Sequence, residues 1–447
     1  MLDHGLHSSV PARHSFLLRS RTSTRGYVGA VRLRGAMVAT IIAAATVPAD
    51  AGVTERVNVN SQGKQSAGAS YGGMSDNGRF VVFNSFGDDL VPGDRNHATD
   101  VFLRDRARGL TTRVSVGPGG VEADGKSDLA AISSDGRFIL FVSEADNLVA
   151  NDTNDAADLF LRDRKTGSLR RVSLGQHGQG NTGSTAGGIS DDGRYVVFAS
   201  NADDLVPGDT NGAADIFLRD LSAGVTRRVS VGQGGVQGNG ESFGPQITRD
   251  GRLVSFVSEA DNLVRGDRNS AMDIFVRDLA TQANERVNLA SDGTEAEGLS
   301  FAQSMSEDGR FVAFQSYAGN LVPGDSNGQA DVFLRDRRDG TTRRIVLPPD
   351  LTVGSTGTVG AVLSASGRFI AVTALLTPGG YLLDRTSGKV RLLSKPLAGQ
   401  PEPFSTTFAL AVSRDGRRAM FQSDAGNLVA HDTNDRLDVF VRSLIPW

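Results

Sequence analysis

Six stretches of the chain carry an aspartate, an asparagine two places on, and a second aspartate four places after that. They are Asp94, Asn96 and Asp100; Asp152, Asn154 and Asp158; Asp209, Asn211 and Asp215; Asp267, Asn269 and Asp273; Asp325, Asn327 and Asp331; and Asp432, Asn434 and Asp438. Oxygen donors on alternate residues of a curved loop, with a further carboxylate beyond, form a ligand pattern for a hard cation, so calcium is the expected occupant. A backbone carbonyl and water would complete the shell, because the glycine and bidentate glutamate of an EF-hand loop are missing. The same residue types also build turns, since Asp and Asn tolerate left-handed backbone and bond their own main chain. Both readings stay open, and the recurrence of Asn two places after Asp favours the cation.

Other chemistry is sparse. There are no cysteines, which removes disulfides, thiolate metal sites and a thiol nucleophile. His97, His177 and His431 are the only histidines after the first fifty residues. His97 and His431 occupy different places in their loops and His177 lies between repeats, so no histidine-based metal site or acid-base cluster is evident. No G-x-S-x-G elbow is present. Catalysis needs different residues converging on one spot, whereas this sequence offers the same residues many times.

The elements that position these loops are written as a repeat. "SDNGRFVVF", "SSDGRFILF", "SDDGRYVVF", "TRDGRLVSF", "SEDGRFVAF", "SASGRFIAV" and "SRDGRRAMF" open at Ser75, Ser133, Ser190, Thr248, Ser306, Ser364 and Ser413, mostly 57 or 58 residues apart. That period suits one four-stranded propeller blade. Within each unit a small-residue strand comes first. An Asp-Gly turn and an apolar strand such as Phe80-Val81-Val82-Phe83 follow. After the acidic loop comes a strand such as Asp100-Val101-Phe102-Leu103, and the last strand reads "TTRVSV", "RRVSL" or "ERVNL". The phenylalanines Phe102, Phe160, Phe217, Phe275, Phe333 and Phe440 are expected to fill the space between blades. Leu90-Val91 and its repeats should anchor each loop. The arginine after each Asp-Gly, from Arg79 to Arg417, is read as an internal ion pair. The seventh unit ends without its last strand, and Glu55-Arg56-Val57-Asn58-Val59 supplies the missing sequence. The expected fold is therefore all-β: a single seven-bladed β-propeller of four-stranded antiparallel blades over 52–447, its ring closed by the N-terminal strand.

"SDDGRYVVFASNADD", "DIFLRD" and "RRVSV" together resemble the TolB-type, WD-like propeller repeat. The resemblance covers the chain from about Val53 to the C-terminus. It implies a fold more than a function, since such propellers serve as periplasmic partners, protease gates and enzyme scaffolds. The loop between the second and third strands is longer here than that pattern requires.

Residues 1–51 differ from the rest. Six arginines precede an apolar run from Ala36 to Val47, and Ala49-Asp50-Ala51 follows as a small-x-small site, the pattern of a cleavable export signal. Without that segment 41 basic residues face 49 acidic ones, a charge near −8 that disfavours nucleic acid. No later segment is long and apolar enough to cross a membrane. The expectation is a secreted, monomeric, non-catalytic binding or scaffolding propeller, possible calcium included, with a protein or glycan as partner. A lyase or hydrolase acting on a glycan or small molecule at the loop-rich face is the alternative.

Overall fold

The computed structural model describes residues 41–42, 52–66, 68–347, 358–374, 379–401, 405 and 407–445. Apart from Ile41 and Ile42, the expected export signal lies outside the described residues. Seven antiparallel sheets of four strands each form a ring. In the first blade the strands are Ala69–Met74, Phe80–Ser85, Asp100–Asp105 and Leu110–Arg113, counted from the inner strand outward. Ile41–Ile42 add a short parallel pairing outside the fifth blade, beside Ile345 and Val346.

Val53–Arg56 pairs antiparallel with Asp438–Ser443, placing Arg56 opposite Phe440. The first and last strands of the ring thus share one blade and close it by hydrogen bonding. Each inner strand carries a register shift against its neighbour, for instance between Ser70 and Gly72 in the first blade. Such bulges bend a strand and increase its local twist.

Apolar alternation explains the packing. The second and third strands are buried on both sides, and their phenylalanines stack in register, with Phe83 on Phe102 at 5.9 Å and Phe198 on Phe217 at 5.7 Å. The cores lie between blades, as expected. One contains Val82, Val101 and Leu103 of the first blade with Ile139, Phe141 and Phe160 of the second. Leu90, Leu148, Leu205, Leu263, Leu321 and Leu428 are all buried as loop anchors.

A second contact repeats around the ring. The glycine of each Asp-Gly turn sits on the first side chain of the preceding blade's second strand: Gly136 on Phe80, Gly193 on Phe138, Gly251 on Tyr195 and Gly416 on Phe369. Gly193 has φ +70°, and a Cβ there would overlap the Phe138 ring. We expect Gly193→Ala to destabilise the fold by more than the ~1–2 kcal/mol of left-handed backbone alone. Gly224→Ala, at φ +68° with open space around it, isolates that backbone cost. Urea denaturation of the two variants compares them; equal losses would remove the inter-blade contact from the account.

Candidate functional site

The loops between second and third strands and those between blades share one face. There the six Asp-Asn-Asp sets do come together, each around an arginine of the blade's outer strand. Arg113 Nη1 lies 3.1 Å from Asp94 and 3.2 Å from Asp100, and it also contacts Glu122. Arg171 lies 2.7 Å from Asp152 and 2.9 Å from Asp158. Arg228 bridges Asp209 and Asp215 at 3.1 and 3.3 Å. Arg286 bridges Asp267 and Asp273 at 3.0 and 3.1 Å and touches Glu295. Arg344 joins Asp325 and Asp331 at 2.8 and 3.2 Å, and Arg56 of the closing strand joins Asp432 and Asp438 at 3.5 and 3.2 Å.

The asparagines serve the loop. Asn96 turns its amide nitrogen to Asp100 and to the carbonyl of Ala123, each at 3.0 Å, while its oxygen accepts the Ala98 amide. Asn269 and Asn434 make the corresponding bonds to Asp273 and Ala296, and to Asp438 and Ser66. Asn211 reaches Gly238, Asn154 reaches Gly180 and Asn327 reaches Asp331. In five blades the third-strand aspartate also accepts from a serine or asparagine of the outer strand, among them Ser173 at 2.6 Å, Ser230 at 2.5 Å and Asn288 at 2.5 Å.

Asp94, Asp100 and Glu122 have carboxylate oxygens within 4.8 Å of one another and form a possible acidic metal site. The arrangement suits a guanidinium. A divalent ion at the same point would stand against Arg113, and Asn96 would have to reverse its amide to offer oxygen. Burial pushes the Asp94 carboxyl up to about 6, with Arg113 pulling it down and Asp100 and Glu122 pushing it further up. Asp152 and Asp267 are likewise pushed up to about 6, chiefly by burial.

The sixth blade is the control that the chain contains. Phe102 is paired with Arg113, Phe160 with Arg171, Phe217 with Arg228, Phe275 with Arg286, Phe333 with Arg344 and Phe440 with Arg56. In the sixth blade Tyr381 is paired with Leu392, and that blade alone lacks the Asp-Asn-Asp loop. Arginine and acidic loop are present together or absent together. The sequence reading overlooked this arginine although it stands in every "RVSV"-like strand.

The opposite face carries the other expected pairs. Arg79 grips Asp105 with two bonds of 2.9 and 2.8 Å, and Arg137–Asp163, Arg194–Asp220, Arg310–Asp336 and Arg368–Asp384 repeat that grip. Arg252 holds one oxygen of Asp278. In the seventh blade the aspartate is replaced by Ser443. Of the histidines, His97 lies 2.8 Å from Asp88 through Nδ1, and His177 and His431 are exposed.

No protein-family model and no curated protein matches this chain. Solved structures do. An oligogalacturonate lyase in complex with manganese is 13% identical, with 90% of this chain and 95% of that one covered and a TM-score of 0.54. The β-propeller domain of the Trilobed protease from Pyrococcus furiosus, described as having an open velcro topology, is 11% identical over 84% of this chain and 96% of that one, with a TM-score of 0.50. TolB from Acinetobacter baumannii is 16% identical over 82% and 80%, with a TM-score of 0.35. At these identities the likeness establishes one thing, that this chain has the fold of a β-propeller.

Proposed function

We propose that the protein is an exported, monomeric binding or scaffolding propeller that presents its loop-rich face to a protein or glycan and performs no chemistry there. The observation that carries this reading is that the carboxylates of the six Asp-Asn-Asp sets are spent on holding the loops. Each is engaged by a fixed arginine, an asparagine or an outer-strand hydroxyl or amide, which leaves a stiff platform rather than a set of free acids and bases. Long loops on a rigid scaffold are the usual place for recognition. Calcium has no part in this proposal beyond the test that would reveal it: a melting scan with and without chelator is expected to give the same midpoint. A fall in the midpoint on chelation, restored by added calcium, would return the loops to the metal reading.

One observation favours a lyase or hydrolase at the same face. His97 and Asp88 form an exposed imidazole-carboxylate pair found in the first blade alone. The two readings part in a screen of neutral and acidic polysaccharides scored for both retention and turnover. Retention without turnover is the expected result; turnover that disappears in His97→Ala would overturn it.

A further inference from the structure

The short-turn face looks uniform until its charges are compared blade by blade. The acid of the Asp-Gly turn is Asp135, Asp192, Asp250 and Asp308 in blades two to five and Asp415 in blade seven, but it is Asn77 in blade one and Ser366 in blade six. The two blades flanking the seventh have thus lost a carboxylate. The seventh blade has lost another, because Ser443 stands where six sister blades place the aspartate that receives the turn arginine. It has also gained a cation. The side chain under the next blade's glycine is aromatic or leucine at six junctions, whereas at the seventh Gly78 sits on Arg418.

These departures fall together. Asp76, Asn77, Ser366, Arg368, Arg414, Asp415 and Arg417 line a notch of about 730 Å³.

Most charges around the notch are already matched. Arg368 is held by Asp384, Asp76 by Arg249, which reaches it from the fourth blade, and Arg414 by Glu307 of the fifth. Arg417 is the exception. Its side chain is 58% exposed, and the nearest carboxylate, Asp415, stands 3.8 Å from its Nε. In the sister blades the same arginine fork holds a carboxylate at 2.7 to 3.2 Å. A planar guanidinium fork matches a carboxylate through two parallel bonds.

We propose that this notch, on the face away from the acidic loops, binds a small carboxylate-bearing ligand through the guanidinium of Arg417. The ligand's carboxylate takes the role that an aspartate plays in the other blades. Asn77 and Ser366 supply neutral polar groups at two of the three turns that line the notch, and Asp415 remains at the third. The volume is within the range of small-molecule sites. This site stands apart from the loop-rich face and does not depend on what that face binds.

The test is calorimetric titration of the full chain with glucuronate, with glucose and inorganic phosphate as comparisons. Glucuronate is expected to bind at concentrations up to about 10 mM, glucose is not, and phosphate is expected to bind more weakly. Arg417→Ala should weaken glucuronate at least about tenfold. Ser443→Asp should do the same while raising the melting midpoint, because it restores the internal pair; a variant that loses binding as it gains stability has not simply unfolded. No glucuronate binding, equal binding by phosphate, or unchanged binding in both variants would overturn the proposal.

Discussion

Arg286→Ala is expected to lower the stability of the fold by about 3–5 kcal/mol, the usual cost of removing one partner from a buried ion pair. Its side chain is 8% exposed, and Asp267 and Asp273 beside it are more deeply buried still. Without the guanidinium, two carboxylates share a site with neither solvent nor counter-charge. Asp267→Asn should behave differently. Burial first, and the charge of Asp273 second, already push the Asp267 carboxyl up to about 6, so at neutral pH its ionised form is held at a cost. The asparagine variant is therefore expected to lose much less than Arg286→Ala, and less at pH 8 than at pH 5. Urea midpoints for the two variants at both pH values decide it. Equal losses would mean that the arginine is surface decoration.

The same groups fix how stability changes with pH. A carboxyl raised in the folded state, as at Asp94, Asp152 and Asp267, contributes stability that is full below its unfolded value and lost as pH rises through about 6. The hydrogen bonds from Arg194 and Arg252 hold Asp220 and Asp278 down at about 2, against an ordinary value of 3.8. Their contribution is present above the ordinary value and lost as pH falls towards 2. Burial of the loop carboxyls and the arginine grip on the turn-face carboxyls shift pKa in opposite directions, and the melting midpoint is expected to be highest in the acidic range between them.

A larger effect is expected from removing the closing strand. Deleting residues 52–60 takes away the pairing with Asp438–Ser443, the buried Val57, and the 2.5 Å bond from Asn58 to Asp438. It also removes Arg56 and leaves Asp432 and Asp438 buried without their cation. The lost guanidinium alone costs about 3–5 kcal/mol, and the exposed strand edge adds to that and invites association between chains. The truncated protein should unfold at far lower urea and form soluble aggregates, whereas Arg56→Ala should show only the first part of the loss. Light scattering and urea titration separate the two. A truncated chain that melts with the intact one would mean that the ring is held by its inter-blade cores alone.

The repeat made the fold legible. Seven Gly-Arg turns, five of them Asp-Gly-Arg, gave the blade count, and Glu55 to Val59 matched the strand missing at the end, which the pairing of Arg56 with Phe440 bears out. The acidic loops were legible as a set but not as an arrangement. Asp94 and Arg113 are nineteen residues apart and meet because the third and fourth strands fold back on each other. The clue was nevertheless in the sequence, since Leu392 replaces the arginine in the one blade whose acidic loop is missing. The seventh-blade notch was harder to see, because it arises from small departures at Asn77, Ser366 and Ser443 that are distant along the chain and adjacent only in a closed ring.

Closure by the first strand also sets an order of events. A chain made from its N-terminus produces Val53–Arg56 early and Asp438–Ser443 almost last, so the first strand made waits through nearly the whole of synthesis for its partner. Loop-closure entropy for so long a separation is charged before the contact returns anything, which makes this pairing a late and slow step. A ribosome that stalls in the seventh repeat would therefore release not a slightly shorter propeller but an open fan of blades with a free edge at each end.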